Sequence, residues 1–145
     1  MEKSTSEKVV CYVVQREHLL VFTHLDVPLD VTGVQVPAGT VRPGEDPAAA
    51  AVREVLEETG MKADVVRPLG TAAYDYSPAR FEIATRHFFL LRPATPADIA
   101  RQWEAGESDP DHGGGQQRWE CRWMPLAQAH VLSAGLGAML GSLCG

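Results

Sequence analysis

Residues 39–61 read Gly39-Thr40-Val41-Arg42-Pro43-Gly44-Glu45-Asp46-Pro47-Ala48-Ala49-Ala50-Ala51-Val52-Arg53-Glu54-Val55-Leu56-Glu57-Glu58-Thr59-Gly60-Met61. A loop runs into a short helix whose boundaries are written in residue types. Asp46 is a good N-cap, because its side-chain oxygen can accept from the free N–H groups of the first turn. Pro47 follows at the first helical position, where its missing N–H costs nothing. Four alanines favour propagation, and Gly60 suits a left-handed C-terminal cap. The spacing predicts a helix over 47–59.

At about 100° per residue, Ala48, Ala51, Val52, Val55, Leu56 and Thr59 fall on one broad arc. Glu54, Glu57 and Glu58 fall on a neighbouring arc, with Glu54 one turn from both others. Like charges at i+3 and i+4 destabilise a bare helix by roughly 0.2–0.5 kcal/mol per pair. A helix selected only for stability would place Lys or Arg there. A divalent cation reverses that sign: Mg²⁺ and Mn²⁺ prefer oxygen ligands and join carboxylates to waters and phosphate oxygens. Read without a cation, the same cluster is a solvated acidic face. Arg53 likewise reads by itself as an i,i+4 partner of Glu57, and Glu45 as an anion favoured at a helix N-terminus. Gly39, at the end of Val36-Pro37-Ala38, allows positive φ or close backbone approach.

The stretch resembles, with no mismatch, the Nudix box, G-x5-E-x7-R-E-U-x-E-E-x-G-U with U a bulky apolar residue. The resemblance implies an α+β fold, a Nudix-type α/β/α sandwich around a central mixed sheet, occupying nearly the whole chain. It implies Mg²⁺- or Mn²⁺-dependent hydrolysis of a phosphoanhydride in a nucleoside diphosphate linked to another group. Glu57 and Glu58 would be metal ligands, joined by the carbonyl of Ala38. Glu54 would be either the general base or a third ligand. Arg53 would orient a catalytic Glu, and Glu45 would pair with Arg53. Members of the family also take a base from a later loop. Glu104, Glu107 and Glu120 are the candidates here, Glu107 being favoured for its place in a long connecting segment. A nucleotide-binding sensor on the same fold, without turnover, is the competing reading. Homodimers are common in the family.

The remainder of the chain bounds these expectations. Its 145 residues suit one domain, 1–145, with a proper core. The N-terminus lacks a signal pattern and no apolar run reaches membrane-spanning length, so a cytoplasmic protein is expected. Three cysteines without a Cys-x-x-Cys pair read as reduced thiols. The net charge of −6 argues against a broad nucleic-acid surface but does not forbid a small anionic substrate, and the resemblance implies a small nucleotide as partner.

Strands are expected at 8–15 and 18–24, turning at Arg16-Glu17 into a hairpin, with a loop at 25–33 and a short strand at 34–36. Beyond the helix, extended stretches in 62–76 break near Pro68 and a strong strand covers 81–91. A long connection at 93–117 precedes a strand at 118–124 and one or two helices within 126–142. For the substrate's base, Tyr74, Tyr76, Phe81 and Trp103 offer stacking surfaces, and Arg80 and Arg86 could meet a phosphate. Of these, Tyr76, Arg86 and Trp103 are the expected substrate contacts. Tyr76 and Pro78 both fall where subfamilies carry different secondary markers, so the substrate stays open.

Overall fold

A computed structural model of the chain describes residues 3–25, 33–107, 117–132 and 135–144. The organising strand is β1 (Ser4–Gln15), whose alternating side chains separate two cores. Val9, Cys11 and Val13 face one cluster with Phe89, Leu91, Trp119 and Trp123. Val10 and Tyr12 face the other, with Phe88, Met124 and Leu136. A strand buried on both faces must be apolar throughout its middle, which explains the unbroken run Val9 to Val13.

Arg16 and Glu17 form the expected tight turn, both with positive φ (49° and 61°). That is the geometry of a two-residue hairpin whose twist matches its strands. β2 (His18–His24) stays beside β1 only at its first residues, Val14 opposite Leu19 and Gln15 opposite His18. β2 then pairs with a later strand, and β3 (Ala38–Thr40) takes its place along β1, Val9 opposite Gly39.

The strand expected at 34–36 is displaced. Val34 and Gln35 make isolated bridges to Leu132 and Phe22, and the strand proper starts at Ala38. Pro37 has no N–H to continue a ladder; its carbonyl accepts from Cys11 N at 2.9 Å. Of the loop expected at 25–33, residues 26–32 lie outside the described residues.

The helix α1 spans Pro47–Thr59, as its caps dictate: Asp46 accepts from Ala49 N, and Gly60 takes φ 75°. Its buried side is Ala50, Ala51, Val55 and Thr59. The small alanines let the helix lie close on β1, where the Cys11 thiol donates to Ala51 O at 3.6 Å. Leu56, expected on the buried arc, is 44% exposed.

β4 (Ala63–Asp75) and β5 (Glu82–Pro93) follow. Pro68 does not interrupt β4; register shifts on either side absorb it, and β4 is a sheet edge, where proline is tolerated. The connection expected over 93–117 holds a further strand, β6 (Gln102–Glu107), paired antiparallel to β7 (Gln117–Pro125). Residues 108–116 lie outside the described residues. The strand order is β4-β5-β1-β2-β7-β6, with β3 also on β1; β1 and β5 run parallel, so the sheet is mixed.

The one or two helices expected within 126–142 are, among the described residues, two short 3-10 helices, Leu126–Val131 and Leu140–Cys144. Gly135, Gly137 and Gly141 keep regular helical runs short there. Tyr12 fastens this layer: its hydroxyl donates to Leu136 O at 2.5 Å and accepts from Met139 N at 3.2 Å. The result is an α+β sandwich, with α1 on one sheet face and the C-terminal turns on the other. Among the described residues, no helix is long and apolar enough to cross a membrane.

Candidate active site

Two structural facts bring the carboxylates of α1 against the loop before it. The register of β3 on β1 sets Ala38 and Gly39 beside the helix, and Glu58 Oε1 accepts from Ala38 N at 3.0 Å. Glu54 lies directly over Gly39: a Cβ there would come 2.1 Å from the Glu54 carboxyl carbon. Gly39 does not adopt positive φ; close approach alone explains the glycine.

Arg53 holds the arrangement from one side with all three guanidinium nitrogens. Nε and Nη2 meet the two oxygens of Glu45 at 2.8 and 2.9 Å, a bidentate fork. Nη1 donates to Glu54 Oε1 at 2.7 Å and to Glu57 Oε2 at 3.2 Å, while Nη2 also reaches Thr40 O at 3.0 Å. Arg53, Glu45 and Glu54 are each less than one-fifth exposed, so this is a largely sheltered network. A lysine could not span it.

The network sets the local electrostatics. Burial pushes the Glu54 carboxyl above the ordinary glutamate value, against the opposing pull of Arg53. Glu54 also stands within hydrogen-bonding reach of the Glu58 carboxyl. Glu45 is the opposite case: its bonds to Arg53 and to the Arg42 amide lower its carboxyl from an ordinary 4.5 to about 2. A folded-state value below the unfolded one gives a contribution to stability that is complete above about pH 4.5 and is lost as pH falls through about 2. Glu45→Gln is therefore expected to flatten the acid side of the stability profile. In thermal melts from about pH 5 to about pH 2, the variant should lose less of its Tm than the parent. Parallel curves would refute this.

The last turn of α1 is anchored from below by two indoles. Trp119 Nε1 donates to Glu58 O at 2.6 Å and Trp103 Nε1 to Thr59 O at 2.8 Å. These carbonyls have no partner within the helix, so β6 and β7 fix the backbone that carries Glu58. Sequence reasoning missed Trp119, and no local signal marks it, because the contact spans distant strands.

The donor set fits a hard divalent cation. It is all oxygen, two carboxylates meet at one point, and a backbone turn lies against both; Mg²⁺ commonly takes one or two carboxylates and keeps waters and phosphate oxygens. Among the described residues, no three His, Cys, Asp or Glu side chains are close enough together to hold an ion by themselves. Glu57 faces Arg53 and Arg42, with Arg42 Nη2 at 3.5 Å. Glu107 ends β6, opposite Gln117. Glu104 and Glu120 stand opposite one another on β6 and β7, and Glu104 is paired with Arg118 at 3.2 Å.

Two of the three expected substrate contacts come together. Tyr74 and Tyr76 pack edge to face with centroids 4.9 Å apart. Arg86 lies over the Tyr74 ring at 4.0 Å and Arg80 over Tyr76 at 4.1 Å. Arg86 is buried rather than solvated, which an arginine on a strand does not announce. Lys8 lies beside Arg86 in the β1–β5 register and opposite Thr40 on β3, whose hydroxyl accepts from its Nζ at 2.6 Å. Trp103 is elsewhere, on β6 at the opposite edge of the sheet.

A mixed sheet, a capped helix carrying a carboxylate cluster and a glycine turn against it together define a class of α+β fold with an acidic site on its helix. Residues 5–139 match the NUDIX domain family model, and the chain belongs to that family. It is 36% identical over 102 residues to an RNA pyrophosphohydrolase of Brucella abortus, covering 64% of this chain and 55% of that protein. A CMP-5′-(N-acetyl-N-hydroxy-3-aminopropyl)phosphonate hydrolase of Streptomyces rubellomurinus is 34% identical over 138 residues, 92% of this chain and 59% of that one. The chain thus spans little more than half the length of these relatives. Among solved structures, a MutT NUDIX hydrolase from Burkholderia pseudomallei superposes with a TM-score of 0.68 at 16% identity, over 97% of this chain and 99% of that one.

Proposed function

We propose that the chain is a divalent-metal-dependent pyrophosphohydrolase, a single hydrolase domain cleaving the phosphoanhydride of a nucleoside diphosphate linked to another moiety. The products would be a nucleoside monophosphate and the phosphorylated moiety, or pyrophosphate from a nucleoside triphosphate. The observation that carries this reading is the convergence of Glu54 and Glu58 on the Ala38–Gly39 turn, with Arg53 fixed behind them.

Mg²⁺ or Mn²⁺, when bound, would supply charge neutralisation of the diphosphate and a more acidic attacking water. Glu58, Glu57 and the Ala38 carbonyl are the groups to hold it, with Glu54 either a further ligand or the base. A base takes a proton best when its own value is raised toward the working pH, and burial moves Glu54 in that direction. Glu107 is the alternative base. Arg53 acts by orientation: its fork to Glu45 fixes the guanidinium that holds Glu54. Tyr76 and Arg86 would receive the nucleoside, the ring stacking on the base and the guanidinium meeting a phosphate. The names of the two relatives, one for an RNA and one for a CMP conjugate, support a nucleotide as substrate.

A panel of ADP-ribose, dinucleoside polyphosphates, nucleotide sugars, coenzyme A and modified deoxynucleoside triphosphates, with product analysis, tests the proposal. Metal-dependent release of a nucleoside monophosphate is the expected result. Tight nucleotide binding with no product from any of them would instead describe a sensor.

A further inference from the structure

A concavity of about 760 Å³ lies between the last turn of α1 and residues 94–106. That size is within the usual range for small-molecule sites. Its walls include Leu56, Met61, Trp103 and Ala97, and Glu57 stands on its rim. Leu56 occupies a position that the box leaves unspecified, and it is exposed here rather than buried in the core. Met61, Ala97 and Trp103 also pack against the core behind the wall, whereas the exposed Leu56 is not explained by helix docking.

The charges around it are mixed. Of its acids, Glu57 is paired with Arg53 and Arg42 and Glu104 with Arg118, while Asp98 accepts from the Ala100 amide at 2.9 Å and keeps its charge. Among the described residues, the cations Lys62 and Arg101 have no ion-pair partner. Arg101 lies over the Trp103 ring at 4.7 Å, which turns an indole and a guanidinium into one stacked platform. A guanidinium stacked on an indole, with a second cation on the same groove, is complementary to a nucleobase carrying a phosphate. It is a local feature in a chain of net charge −6.

We propose that this groove is a second nucleotide subsite, holding the base and phosphate of the nucleotide farther from the scissile bond. The inference rests on the hydrolase reading above and narrows it to substrates with two nucleotides. Glu57 belongs both to the carboxylate cluster and to the groove rim, so a diphosphate at the first leads into the second. The second nucleotide could come from a dinucleoside polyphosphate or from an oligonucleotide 5′ end, since both present a base and a phosphate.

Calorimetry on metal-free protein tests binding apart from turnover. A 5′-phosphorylated dinucleotide is titrated into the parent, Arg101→Glu/Lys62→Glu and Leu56→Asp, with thermal melts confirming that each variant is folded. Affinity is expected to fall at least tenfold in both variants; unchanged affinity overturns the subsite. In turnover, KM for diadenosine tetraphosphate or a 5′-triphosphorylated dinucleotide should rise at least tenfold more than KM for a nucleoside triphosphate. Whichever of the two responds names the source, and equal shifts on all three overturn the proposal. If nothing is hydrolysed but the binding loss is seen, the subsite stands and the hydrolase reading falls.

Discussion

Glu54→Gln and Glu58→Gln are each expected to lower kcat by two to four orders of magnitude with little loss of stability. The scale is that of removing a positioned general base or a strong electrostatic stabiliser, about 10²–10⁴-fold. Stability should hold because each substitution keeps the shape of the side chain and removes one charge from a pair of carboxylates in contact. At position 54 it also removes a charge that burial disfavours, while Arg53 retains its fork to Glu45. The two variants separate the roles left open for Glu54. If Glu54 is the base, Mn²⁺ affinity measured without substrate should match the parent in Glu54→Gln and fall only in Glu58→Gln. If Glu54 is a ligand, both lose affinity. Activity within about twofold of the parent in both variants would remove the carboxylate cluster from the chemistry.

What could be read in advance divides by the range of the interaction. The helix 47–59 is specified by neighbours in sequence: a capping Asp46, Pro47 at the start and Gly60 past the end. Its boundaries match the structure at both termini. The Arg16-Glu17 hairpin is equally local. The displaced strand after residue 34 depends instead on where β1 leaves β2, which is a property of the sheet rather than of Val34-Gln35-Val36. β6 was hidden for a related reason. Gln102-Trp103-Glu104-Ala105-Gly106-Glu107 has few branched residues, and what recruits it is pairing with β7 and the hydrogen bond from Trp103 to Thr59.

The candidate site shows the same division. Arg53, Glu54, Glu57 and Glu58 share a helix and were visible as a pattern, whereas Lys8, Thr40 and Trp119 enter only through strand register. Tyr76 and Trp103 are both expected as substrate contacts, as aromatic residues near predicted loop ends. The sheet order puts them on opposite edges, so they cannot serve one base. Leu56 was misplaced by helical arithmetic because α1 presents its alanines to β1, turning that side chain outward.

Gly39→Ala should abolish most of the activity by a route that leaves the carboxylates chemically intact. An added methyl carbon would lie 2.1 Å from Glu54 Cδ and 2.4 Å from each carboxylate oxygen, far inside van der Waals contact. The backbone of β3 is held by its ladder to β1, so the side chain has to yield. Glu54 can swing away only by giving up its 2.7 Å contact with Arg53 and its place beside Glu58. The expected loss in kcat is therefore about as large as for Glu54→Gln, on the order of 10²-fold or more. The stability cost should stay within the range of ordinary overpacking, about 1–3 kcal/mol, because the colliding atoms end a flexible chain. A double-mutant cycle isolates the cause. In a Glu54→Ala background the obstacle is gone, so Gly39→Ala should cost almost no stability there. An equal cost in both backgrounds would place the strain in the β3 backbone instead, and activity surviving in the single Gly39→Ala variant would mean that Glu54 need not lie against this turn.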